Sequence, residues 1–261
     1  LMSLRLRMKA RGAQDGVSEP ALCGALLKDL RLMQESIQQA GAAAVCDDCT
    51  HLEWIADQAW NLGHGCIAAA ARIDDETLER CCGFLDACGA LTAKLPPTED
   101  TQQCTRRCHT LMCRAMMLAA KAGDEPRSSA LLARATKSLK EAFRLRQRCA
   151  QRPPPAAPAE GPGEPDEDVL LQLLNFELAI RQNDPNAREV LLRSTDEGGI
   201  TTTHLQHMAD IAFEWRNSEL GRAALEHALS RLMQQPDPKD LEQICLVLRQ
   251  LVRTADSRKD K

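Results

Sequence analysis

The chain has no tyrosine, and four phenylalanines and three tryptophans are all of its aromatics in 261 residues. One large aromatic core is thereby excluded. Trp54, Trp60, Phe84, Phe143, Phe176, Phe213 and Trp215 are strung out one or two per segment, as in a core built piecewise along an array. β-Branched residues are sparse, which removes the usual material of a sheet. No apolar run approaches membrane-spanning length, and the opening LMSLRLRMKARG lacks the apolar stretch of a signal peptide. There is no phosphate-cradling glycine loop and no HExxH pair. No histidine stands with a Ser or Cys nucleophile and an acid in a local motif. No catalytic residue is therefore assigned. The net charge of −4 argues neither for nor against nucleic acid.

What the chain does have is Ala, Leu, Gln, Glu, Lys and Arg, all good helix formers. Twelve cysteines would suggest disulfides in a short secreted chain. Without a leader, a reducing compartment is expected, with the thiols acting as small buried hydrophobes. The sequence begins at Leu1, not Met, so a segment of a longer protein is expected.

Residues 1–17 are basic and expected to be poorly ordered. A helix is predicted from about Pro20 to Gln39, with Leu22, Leu26, Leu30, Met33 and Ile37 on one face. Thr50-His-Leu-Glu53 reads as a capping box opening a helix whose inner face holds Trp54, Ile55, Ala59, Leu62 and Cys66. Asp74 or Asp75 caps the next helix, which ends before Pro96-Pro97 and carries Cys81, Phe84, Leu85 and Cys88. A helix over Asp100–Lys121 turns Cys104, Cys108, Leu111, Ala115 and Leu118 inward, and Ser128–Cys149 is its partner. Residues 151–165 hold six prolines and two glycines and read as a linker or surface loop. Beyond it, 166–254 returns to helices. These cover a nearly two-sided one from Asp166, then Ala187–Arg193, Thr203–Trp215 and Glu219–Met233. In the last, Leu241, Ile244, Cys245, Leu248, Leu251 and Val252 form the inward stripe. A charged tail, 255–261, closes the sequence.

The helix pairs begin near residues 51, 100, 167, 202 and 239. The last two spacings are close to the roughly 34 residues of a tetratricopeptide repeat. The fold class that follows is all-α: a tetratricopeptide-like solenoid of stacked antiparallel helix pairs, 18–150 and 166–254, around the 151–165 linker.

Four groups carry possible chemistry. Cys46-Asp-Asp-Cys49 has the spacing of half a zinc site, and Cys104, Cys108, His109 and Cys113 could supply the other half. The second half lacks knuckle spacing, so buried free thiols are the expected state. A redox pair at Cys46 and Cys49 lacks the βαβ setting it would need. His204 and His207 share a helix face that is expected to be solvated. Arg127, Arg134, Lys137, Lys140, Arg144, Arg146, Arg148 and Arg152 face one acid, Glu141. Lys140, Arg144 and Arg148 line one side, and a solvated face is expected before an acidic protein partner or DNA phosphates. Trp60-Asn61 is expected to hold its hairpin together before gripping a peptide.

The segments LEWIADQAWNLG, CCGFLDAC and CTRRCHTLMCRAMMLAAKAG come in a fixed order. After the linker come LLQLLNFELAIRQNDPNAREVLL and HLQHMADIAFEWRNSELGRAALEHALSRLM. Together, over roughly residues 50–253, the chain resembles the meiosis-specific tetratricopeptide proteins of the Spo/Zip crossover family, whose mammalian relative is a testis-expressed protein. The resemblance implies a long helical scaffold in the nucleus, on meiotic chromosomes. There it would promote crossover formation and synaptonemal-complex assembly by bridging recombination and axis proteins. It supplies no catalytic residue, cofactor or metal ligand, and leaves the protein-binding residues open. A generic helical-repeat adaptor of another pathway and a cysteine-based metal-binding module are the alternatives.

Overall fold

The computed structural model describes residues 20–40, 49–69, 73–121, 123–150, 167–196, 199–234 and 241–256. Among these, every regular element is a helix: α1 (Pro20–Ala40), α2 (Cys49–Ala69), α3 (Asp75–Thr92), α4 (Glu99–Ala120), α5 (Glu125–Ala150), α6 (Glu167–Arg181), α7 (Ala187–Asp196), α8 (Thr202–Glu214), α9 (Ser218–Gln234) and α10 (Leu241–Asp256). None is long and apolar enough to cross a membrane. The readings made for 1–17, for Cys46 and for 151–165 lie outside the described residues. The helices fall into two compact units divided between Ala159 and Glu160, inside that proline-rich stretch.

In the first unit each of α2, α3 and α4 packs on the next, and α1 packs on α3. Close approach is made by glycine. A Cβ on Gly63 of α2 would come within 2.8 Å of Leu85 in α3, and one on Gly83 of α3 within 2.8 Å of Leu27 in α1. The inner face of α2 is therefore Leu52, Ile55, Ala56, Ala59 and Gly63. Trp54 and Trp60 are half-buried on its flank, and Trp60 stacks on His64 of its own helix with centroids 6.2 Å apart. This corrects the expectation that the tryptophans are the packing at the centre of the hairpin: a small-residue face lets the helices approach too closely for an indole. Thr50 is already inside α2, so it is not the cap that Thr50-x-x-Glu53 suggested.

Asp74 does cap α3, accepting the Thr77 backbone N–H at 2.7 Å. The caps of α4 and α8 are reciprocal boxes. Thr98 and Thr101 exchange backbone and hydroxyl bonds at 3.2 and 2.9 Å. Thr201 and His204 do the same, with the His204 Nδ1 accepting at 3.1 Å. Their third residues are Thr and His where the usual pattern has Glu or Gln, which is why the sequence pattern passed over them. α4 lies between α3 and α5 and is buried on both sides, from Cys108 and Met112 round to Cys113, Met117 and Ala120. Leu118, expected inward, is exposed on the remaining face.

In the second unit α8 packs against α9, α9 against α10, and α6 against α7 and α8. The core gathers Phe176, Leu191, Leu205, Met208, Leu225 and Val247. Two turns of the same design join its helices. After α6, Asn183 is left-handed (φ 52°), with the Asp184 N–H returning to the Ala179 carbonyl. After α8, Arg216 is left-handed (φ 57°), with the Asn217 N–H returning to Ala212. Both are helix-ending motifs that satisfy otherwise orphan carbonyls, and they lie 33 positions apart. α10 corrects the expected stripe. Val247 is fully buried, with Ile244 and Leu251 beside it, while Cys245, Leu248 and Val252 face outward. α10 also runs through Asp256, into the expected tail.

Candidate functional site

Two features of the first unit gather chemistry. The first is a groove of about 990 Å³ floored by α4 and walled by α3 and α5, with Arg31 of α1 at its edge. Met112 and Met116 of α4, Leu78 of α3 and Leu131 of α5 give it an apolar bed. Methionine suits such a bed, because its flexible, polarisable side chain adapts to the shape laid on it. The walls carry opposite charge. Asp75, Glu79 and Asp86 project from α3, and Arg127, Arg134 and Lys137 from α5. Arg127 reaches across to Asp75, and Arg31 pairs with Glu79 at 3.6 Å. His109 sits at the floor with its Nδ1 buried and without a hydrogen-bond partner among the described residues. Burial pushes its imidazole below the usual histidine range, against the pull of Glu141 and Asp86. Burial thus favours the neutral ring, whose Nδ1 is enclosed in the floor of the groove.

The basic helix is thus split by face. Arg127, Arg134 and Lys137 line the groove, while Lys140, Arg144 and Arg148, the stripe singled out by spacing, are exposed, with Arg144 3.7 Å from Glu141. The groove itself had no signal in the sequence, because its two walls come from helices some fifty residues apart.

The second feature is a cluster of three thiols at the turn joining α3 and α4. The Sγ atoms of Cys88, Cys104 and Cys108 all lie within 4.8 Å of one another, and Cys88 and Cys104 are 3.7 Å apart. Cys88 and Cys108 are buried, Cys104 half-buried. The Thr92 hydroxyl donates to the Cys88 carbonyl at 2.8 Å and lies 3.8 Å from the Cys104 sulfur. Thiol donation from Cys108, then from Cys88, holds the Cys104 sulfur well below the usual thiol range, with Arg107 adding to the effect. Cys88, hydrogen-bonded to Cys104, is pushed up to about 12, and Cys108 is raised as well. Asp57 of α2 is near enough to feel this sulfur: its carboxyl is raised first by burial and then by Cys104.

No family model, curated protein or solved structure matches this chain.

The structure therefore brings together two of the thiols that spacing had associated, Cys104 and Cys108, and adds Cys88. Cys113 belongs elsewhere, its Sγ 3.7 Å from the Met117 sulfur. Of the CxxC pair, Cys49 is half-buried at the start of α2 and Cys46 lies outside the described residues. Cys88 was findable: it and Cys104 are equidistant from Pro96, so an antiparallel hairpin turning there sets them opposite one another. His204 is occupied in its cap, and His207 is exposed beside it. Asn61 is exposed next to the half-buried Trp60.

Proposed function

We propose that this chain is a protein-binding scaffold of tetratricopeptide-like helix pairs, and that its groove between α3 and α5 holds an amphipathic partner segment. The groove carries this reading. A methionine and leucine bed takes apolar anchors, and the acidic and basic walls orient the segment. Three consecutive helices of the first unit, α3 to α5, form the groove, with Arg31 of α1 at its edge. The turns at Asn183 and Arg216 recur at a spacing near the roughly 34 residues of a tetratricopeptide unit. The resemblance to the Spo/Zip crossover proteins supplies the setting we propose: meiotic chromosomes in the nucleus, with crossover, synaptonemal-complex or axis proteins as partners. The role is binding, not catalysis.

The test is proximity labelling around the full chain in meiotic cells, with two groove variants alongside. Ala130→Trp fills the groove from an exposed position, and the pair Arg134→Glu with Lys137→Glu reverses one wall. Crossover and axis proteins are expected to be labelled by the parent and to fall at least tenfold for both variants, with helicity unchanged. Equal labelling by parent and variants rejects the groove. Expression confined to cells that never enter meiosis rejects the setting.

A further inference from the structure

We propose that Cys88, Cys104 and Cys108 bind a zinc ion through three thiolates, with the fourth coordination position open on the half-exposed Cys104 side. None of these thiols lines the groove, so the proposal stands apart from the scaffold reading. Among the described residues this is the only group of three or more His, Cys, Asp or Glu side chains whose donor atoms converge in this way.

The geometry comes first. Zn–S bonds of about 2.3 Å in a tetrahedron put neighbouring sulfurs about 3.8 Å apart. Cys88 and Cys104 are already 3.7 Å apart, and the third sulfur lies within 4.8 Å of both. Small side-chain rotations bring all three onto one ion, while a disulfide would need two sulfurs to close to about 2.0 Å. The ligands come from two helices joined by a short turn, and Cys104 and Cys108 are one helical turn apart on the same face. The backbone that holds them is thus set before any ion arrives.

The chemistry of the donors points the same way. Three sulfurs select a thiophilic ion over Mg²⁺ or Ca²⁺, which take oxygen. Charge then chooses among thiophilic ions. Three thiolates bring −3 into a site where two of the three residues are buried, and buried uncompensated charge is costly. A divalent ion leaves −1, whereas Cu⁺ leaves −2. Zn²⁺ displaces the remaining thiol protons to solvent, with no change in oxidation state. The Thr92 hydroxyl, which donates to the Cys88 carbonyl, lies 3.8 Å from the Cys104 sulfur, a polar neighbour of the kind that surrounds metal ligands. Bound zinc would pin the end of α3 to the start of α4.

The full chain, purified with reductant and offered zinc, is analysed for metal content, and Co²⁺ is then used as an optical probe. One zinc per chain is expected, along with intense thiolate-to-Co²⁺ charge-transfer absorption and visible bands of a tetrahedral ion. Cys104→Ser, at the half-exposed ligand, is expected to bind less than a tenth as much zinc and to lose those bands while keeping its helical circular dichroism. The pair Cys46→Ser with Cys49→Ser is expected to bind as the parent does. The proposal is overturned if the reduced parent takes up no stoichiometric zinc, or if Cys104→Ser retains it. It is also overturned if zinc leaves with Cys46 and Cys49, if copper is the ion held, or if peptide mapping finds a Cys88–Cys104 disulfide in a protein that binds no metal once reduced.

Discussion

Single side chains carry unequal weight, and burial decides which matter. Arg181, at the end of α6, has a side chain only 1% exposed. It pairs with Glu177 at 3.4 Å and lies over the Trp215 ring at 4.7 Å from the centroid. Removing one partner of a buried pair leaves the other uncompensated, at a cost of about 3–5 kcal/mol. Glu177 is 19% exposed, which moderates this, so Arg181→Ala is expected to lose about 2–3 kcal/mol by urea unfolding. Arg181→Met, which keeps an apolar stem but not the guanidinium, should lose less. Equal losses would assign the whole effect to the guanidinium and none to the stem, and no loss in either would mean that neither matters there. Asp74 makes the contrasting case. The Thr77 backbone N–H, then its side chain, holds this fully exposed carboxyl below its ordinary value of 3.8. Because the folded value is the lower one, the stabilisation is complete above the unfolded value and disappears as pH falls from about 4 through the folded value. Asp74→Asn keeps a capping oxygen but cannot titrate. Its stability relative to the parent should therefore improve on going from pH 7 to pH 2.5. A constant difference between the two proteins at both pH values would reject the cap as the source.

Whole helices show what a sequence states about itself and what it leaves to its neighbours. The existence and order of the helices were legible from apolar spacing and from the punctuation at Pro96-Pro97 and Asn183-Asp184-Pro185. Rotation about the helix axis was less so. The stripe on α10 through Cys245, Leu248 and Val252 is regular, yet α9 is met by Ile244, Val247 and Leu251. Two apolar stripes share that helix, and amphipathicity alone does not say which one the neighbour covers. Val247→Ala is therefore expected to cost about 1–3 kcal/mol. Leu248→Ala, at 44% exposure, should cost well under 1 kcal/mol. A reversed order in urea melts would return α10 to the rotation that spacing favours. The α8–α9 pair depends in the same way on a position with no side chain. A Cβ at Gly221 would meet the Phe213 ring at 2.5 Å. Gly221→Val should destabilise the second unit by about 1–3 kcal/mol through overpacking, despite the better helix propensity of valine. The pairing of Cys88 with Cys104 was implicit in the hairpin about Pro96. The groove was not, since it exists only once α3, α4 and α5 are side by side.

At the scale of the whole chain, the division between Ala159 and Glu160 makes the most direct claim. Each unit has the parts of an independent folding domain. The first buries Leu30, Leu52, Ile55, Phe84, Leu85 and Leu91 essentially completely. The second has its own cluster around Phe176, Leu205, Met208 and Leu225. Full burial of one such side chain contributes about 1.5–3 kcal/mol, so either set outweighs the small net stability of a domain before chain entropy opposes it. The second unit is nearer the margin because it is the shorter, and a small domain buries a lower fraction of its surface. It compensates with helix ends closed from inside. Arg231 of α9 donates to the carbonyls of Ile200 and Thr195, and Ser194 bonds Gln172 of α6 at 3.2 Å in the interior. A chain cut between Ala159 and Glu160 is thus expected to yield two fragments that are each helical and that each unfold cooperatively in urea. Circular dichroism and tryptophan fluorescence report on both, with Trp54 and Trp60 in the first fragment and Trp215 in the second. Coincident transitions by the two probes within each fragment are the expected result. A second fragment that is helical but melts without a cooperative transition would show that its core is completed by residues before Glu160.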